Sequence, residues 1–156
     1  MSEPESKPKP KRESGTDVEA GAGYLIKRVQ QSLRRQCDAA LRPTGLSMAQ
    51  YVALRALADH PDASAAELAR LCFVTRQSLQ DLLAGLRSAG LIRNATTQNH
   101  GRTTALALTD AGRKRLTASH DAVLSVEESM LTGLAEDARR RLCESLVRCA
   151  ENLEAS

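Results

Sequence analysis

Thr75, Arg76, Gln77 and Ser78 follow one another directly, and Gln80 stands one residue beyond Leu79. Hydroxyls, amides and a single guanidinium at this spacing can donate to and accept from base edges and phosphates. That chemistry is recognition and not turnover. No P-loop, GxGxxG, GxSxG or HExxH pattern occurs in the chain, so neither an enzyme nor a cofactor is expected. His60, His100 and His120 stand singly, and none of Cys37, Cys72, Cys143 and Cys149 forms a CxxC pair, so no metal site is expected.

A helix must present these polar residues, and the pattern supplies one. Leu79, Leu82, Leu83 and Leu86 recur at i, i+3, i+4 and i+7, which is a buried stripe. Thr75 is the natural N-cap. Thr75, Arg76, Gln77, Gln80 and Asp81 then share the opposite face, with Ser78 at its edge. Upstream, Ser64 and Glu67 have the spacing of a capping box, opening a short helix that ends near Cys72 before a turn at Phe73 and Val74. Downstream, Ala89-Gly90 is a C-cap signal, and extended runs from Leu91-Ile92 and over residues 103–108 predict a hairpin. Its polar loop holds Asn99, His100, Arg102 and Thr103 and reads as a basic wing. From Arg87 to Arg115 there are six Lys/Arg against Asp110 alone, so 6 − 1 gives +5, more than the whole chain's +3. Positive charge is focused there, as phosphate neutralisation requires.

The run ELARLCFVTRQSLQDLLAGLRSAGLI, followed by GR and then LTDAG, with Arg102 seven residues before Thr109, resembles the multiple antibiotic resistance regulator (MarR) family of bacterial transcription factors. The resemblance extends over nearly everything after the first seventeen residues. It implies a mainly α fold with a small β-hairpin: a winged helix-turn-helix with N- and C-terminal dimerisation helices. It further implies a homodimer on a pseudo-palindromic double-stranded DNA operator, acting as a repressor relieved by a small aromatic or phenolic ligand. The ligand cleft would be lined by the helices carrying Tyr24, Tyr51 and Arg55. The DNA-contacting set is Thr75, Arg76, Gln77, Ser78 and Gln80 in a major groove, with Asn99, His100, Arg102 and Thr103 on the wing and Arg102 in the minor groove. One departure is visible. The family usually carries Asp two positions before the wing Arg, where this chain has His100, so the usual brace of that Arg is missing.

Length and composition agree with one domain. The 156 residues are enough for a real core, and with only 2% aromatic residues it must be built from Leu, Ala and Val, which favours packed helices. No apolar run reaches a membrane span, and the polar N-terminus lacks a signal core, so a cytoplasmic protein is expected. Residues 1–17 hold three prolines and eight charges that cancel, and are expected to be a disordered tail. Residues 18–156 form the domain, with residues 64–108 as the helix-turn-helix and wing.

Residues 18–42 form a long helix striped with Leu25 or Ile26, Val29, Leu33, Cys37 and Ala40, ended by Pro43 and Gly45. Residues 131–153 carry Leu134, Ala138, Leu142, Leu146, Cys149 and Leu153 at near-heptad steps, an interhelical seam. Between them, Ser47 and Gln50 predict a second capping box, and Thr109 caps a helix running to about Met130 with Arg113 in a structural role. Cys143 and Cys149 lie about 240° apart on one helix and do not bridge within it. The cysteines are expected to be buried small hydrophobes. A second reading makes the chain a winged-helix dimer serving as a thiol-sensing or protein-interaction module with little DNA affinity, with Cys72 as the transmitting thiol.

Overall fold

The computed structural model describes residues 18–95 and 105–156, so the expected tail and the wing residues Asn99, His100, Arg102 and Thr103 lie outside the described residues. The chain divides within its first long helix into two units, Met1–Ser32 and Leu33–Ser156. In the first, a single 3-10 turn, Val18–Ala20, precedes the opening of helix α1 (Ala22–Leu41). Tyr24, Leu25, Ile26 and Val29 are all exposed there.

The second unit begins with the remainder of α1, whose Cys37 and Leu41 are buried. Pro43 lies in a 3-10 turn, Arg42–Thr44, and Gly45 follows at φ 75, a left-handed conformation that stops the helix as the sequence anticipates. Helix α2 (Met48–Asp59) opens on a complete capping box. Ser47 Oγ accepts from Gln50 N at 3.1 Å, and Gln50 Oε1 accepts from Ser47 N at 3.0 Å. This helix is the hub of the core, packing against α3 (Ala65–Leu71), α4 (Arg76–Ser88), α5 (Asp110–Met130) and strand β2 (Leu106–Leu108). Leu41, Leu54, Leu79, Leu86 and Leu91 are its largest fully buried side chains, consistent with the aromatic-poor composition.

Strand β1 (Ile92–Asn94) pairs antiparallel with β2, with Ile92 opposite Leu108 and Asn94 opposite Leu106. Ala95 N donates to Ala105 O at 2.7 Å and carries the ladder one step further. Ile92 and Leu108 face the core, while Arg93 and Asn94 are both exposed, so burial in β1 ends after its first residue.

Helix α6 (Glu136–Glu154) buries no residue, and Leu134, Leu142, Leu146 and Leu153 are exposed. Its start is fixed to the end of α5 by one side chain. Arg139 donates to Leu134 O at 3.0 Å, to Leu131 O at 3.2 Å and to Glu128 Oε2 at 2.9 Å, adding a second donor to Leu131 O, which also accepts from Leu134 N. Two of the cysteines depart from expectation. Cys37 is buried and Cys72 half-buried, but Cys143 and Cys149 are exposed, because α6 has no second layer over it among the described residues.

Candidate nucleic-acid interface

Helix α4 separates its faces as the leucine stripe requires. Leu79, Leu83 and Leu86 are buried and Leu82 is half-buried, whereas Thr75, Arg76, Gln77, Ser78, Gln80 and Asp81 are all exposed. Thr75 caps the helix, its Oγ1 accepting from Ser78 N and donating to Ser78 Oγ, both at 3.1 Å. Gln77 Nε2 donates to Asp81 Oδ1 at 3.3 Å. The side chains of Arg76 and Gln80 bond to none of the described residues, leaving the guanidinium and amide available for a ligand. The leading end of the face thus carries an uncommitted guanidinium and amide beside a fixed cap.

The two helices before this face are set by local chemistry. Ser64 Oγ accepts from Glu67 N at 3.2 Å, and a Glu67 carboxylate oxygen accepts from Ser64 N at 2.7 Å. These bonds from Ser64 hold the Glu67 carboxyl below its ordinary range, first through the backbone N–H. Between α3 and α4 the chain turns at Phe73, which has φ 54 and is 93% exposed. Cys72 and Val74 on either side pack against the core. Burial pushes the Cys72 thiol up, away from the thiolate.

The root of the wing is held from the other side by the LTDAG run. Thr109 Oγ1 donates to Gly90 O at 2.6 Å while accepting from Gly112 N at 3.0 Å, and Thr109 N donates to Leu91 O at 3.0 Å. One residue thus joins the end of α4, the start of the hairpin and the cap of α5. Gly112 permits that approach, since a Cβ placed on it would lie 2.0 Å from Leu91 O. Arg113 has the structural role expected of it, donating to Leu108 O at 3.2 Å and pairing with Asp110 at 2.6 Å. Arg87 Nη2 donates to Asn94 Oδ1 at 3.4 Å, linking the last turn of α4 to β1. Arg87, Arg93, Arg113 and Lys114, four of the six cations counted along the sequence, are exposed around this root, and Arg115 is half-buried.

Comparison with known proteins settles the family. A model of the MarR family matches residues 44–103. The HTH-type transcriptional repressor Rv2887 of Mycobacterium tuberculosis H37Rv is 34% identical over 135 residues, spanning 85% of this chain and 97% of that protein. The chain belongs to the MarR family. Two crystal structures of the M. tuberculosis MarR family protein Rv2887 superpose on it. The complex with DNA has a TM-score of 0.68 at 32% identity and covers 83% of this chain and 98% of that one. The complex with salicylic acid has a TM-score of 0.70 at 33% identity and covers 83% and 96%. The winged helix-turn-helix and the order of its elements are therefore those of a MarR regulator, as the motif spacing implied.

Against that family frame, the residues assigned to a ligand separate. Tyr51 is buried on α2, and its hydroxyl shares a hydrogen bond of 2.8 Å with His120 Nδ1. Burial pushes the phenol up, with the Arg55 charge opposing. Arg55, half-buried on the same helix, donates to Asp59 Oδ2 at 2.8 Å. Tyr24 is exposed on α1 in the first unit. Two contributors were not singled out as site residues from sequence: Thr109 as a clamp on Gly90, and His120 as the partner of Tyr51. Only Thr109 had a signal beyond its own cap, through its place in LTDAG.

Proposed function

We propose that this MarR regulator is a homodimeric, cytoplasmic repressor that binds a pseudo-palindromic operator and releases it when a small aromatic or phenolic acid binds. Helix α4 carries the reading: a leucine face locked in the core holds Arg76 and Gln80 outward, uncommitted, at the leading end of the helix. In this reading Thr75, Arg76, Gln77, Ser78 and Gln80 enter a major groove, and Asn99, His100, Arg102 and Thr103 of the wing follow the backbone and minor groove. Residues 64–108 form the reading unit, and residues 18–42 and 131–153 pair between protomers through the exposed apolar residues of α1 and α6. Half-site centres then lie about 34–36 Å apart.

The DNA and salicylic acid complexes of Rv2887 support both halves of the cycle. A ligand carboxylate competes with Asp59 for Arg55, and a phenol competes with His120 for Tyr51. Binding to promoter and random duplexes, titrated with salt, tests the reading. Affinity must fall steeply with salt on both, and more tightly held promoter DNA must remain preferred. Arg76→Ala should cost about 1–3 kcal/mol on the promoter and flatten that preference. Arg102→Ala should weaken all sequences and reduce the salt slope. Salt-independent binding overturns the proposal.

A further inference from the structure

Phe73 is the sole phenylalanine of the chain, and its side chain is uncovered among the described residues. It is also the only non-glycine residue with positive φ among the described residues. A left-handed backbone is unfavourable for a residue with a Cβ, and a fully solvated ring adds no burial to offset it. The turn itself does not require the ring. Phe73 N donates to Arg70 O at 3.2 Å and Val74 N to Ala69 O at 3.0 Å, backbone bonds that glycine would make equally well. Strain that the fold does not need, at a solvent-facing position, is a feature that function can account for.

Position in the fold selects the function. Thr75, the cap of α4, is two residues away, and Arg76 is the next residue on. A recognition helix meets base edges with its N-terminal residues, so the turn before it arrives at the wall of the groove. The apolar surfaces there are thymine 5-methyl groups and deoxyribose carbons, and Phe against a thymine methyl is an established pairing. We propose that Phe73 is a DNA-contacting residue whose ring packs on this apolar surface beside the hydrogen bonds made by Arg76. The inference rests on α4 being the reading helix.

The test uses the full chain and the duplex it selects from a random-sequence pool, prepared with thymine and again with uracil throughout. Phe73→Gly should leave the thermal midpoint unchanged or higher, because the left-handed turn is relaxed, while weakening the selected thymine duplex by about tenfold, the worth of partly burying a Phe side chain. If native protein loses several-fold on the uracil duplex and Phe73→Gly loses nothing further, the contact is a thymine methyl. Equal weakening by Phe73→Gly on both duplexes assigns deoxyribose. Unchanged affinity in Phe73→Gly overturns the inference, as does an affinity loss accompanied by a lower midpoint or a lost dimer. If native protein selects no duplex, the proposed function falls and this inference with it. Selection by native protein with unchanged Phe73→Gly affinity removes this inference alone.

Discussion

The Tyr51 hydroxyl and His120 Nδ1 lie 2.8 Å apart and tie α2 to α5 across 69 positions of sequence. Their rings are stacked, with centroids 6.3 Å apart and planes 20° from parallel. Because α2 also packs on α4, this bond sits in the layer that supports the reading face. Tyr51→Phe keeps the ring and its packing but leaves His120 without that partner. The expected cost is about 1 kcal/mol, or a fall of roughly 2–4 °C in the thermal midpoint for a chain of this size. Calorimetry checks it. An unchanged midpoint would mean that solvent replaces the hydroxyl at no cost.

Gly112 meets Leu91 more closely than any side chain allows. Its α-carbon could take a Cβ only 2.0 Å from Leu91 O and 3.0 Å from Leu91 C, both backbone atoms that cannot swing aside. Gly112→Ala must therefore push the first turn of α5 off the hairpin, at about 2–3 kcal/mol, the upper part of the range for overpacking. Gly90 is a useful contrast, since a Cβ there meets nothing within 4 Å and only its φ of 73 opposes substitution. Chemical denaturation should rank Gly112→Ala well below Gly90→Ala in stability. The reverse order would show that the hairpin root yields easily.

These contacts mark where the sequence stops being informative. Caps at Ser47, Ser64, Thr75 and Thr109 were all legible, because each is satisfied by a donor three residues on and needs nothing from elsewhere. The leucine face of α4 was legible for the same reason, since burial follows helical period. Tyr51 with His120, Gly112 against Leu91 and Thr109 on Gly90 were not, because each depends on how separate elements come together. Phe73 belongs to neither group. Nothing in its own spacing distinguishes a buried phenylalanine in a turn from a solvated one held at positive φ.

The capping box of α3 has a pH signature. Ser64 lowers the Glu67 carboxyl from its ordinary value of 4.5, through its backbone N–H first and its hydroxyl second, with desolvation opposing. A carboxyl lowered by folding contributes stability above its unfolded value, and that contribution is lost as pH falls through the folded value. Glu67→Gln retains an acceptor for Ser64 N but cannot titrate. The stability advantage of the native chain over Glu67→Gln should therefore be constant at neutral pH and shrink as the solution is taken below pH 4.5. Urea midpoints along an acid series read this directly, and a difference that grows toward acid would contradict the cap.

The exposed face of α6 yields a prediction about thiols that reports on assembly. Cys149 shares the stripe of Leu142, Leu146 and Leu153, whereas Cys143 lies about 240° round the helix from it. Both are exposed in the single chain, so a cover over Cys149 and not Cys143 has to be supplied by a second protomer. Cys37 is different: it is 0% exposed and its thiol is pushed up by burial, with Asp38 and Glu127 adding to the effect, so it is protected without a partner. Timed alkylation of the native protein, read by mass spectrometry, should label Cys143 fast, Cys149 slowly and Cys37 slowest if the proposed dimer seam covers this stripe. Leu146→Glu puts a charge on the seam and should open the dimer. Cys149 should then label at the rate of Cys143, while Cys37 stays protected because its cover lies within the chain. Equal rates for Cys143 and Cys149 in the native protein would move the dimer seam off this face of α6.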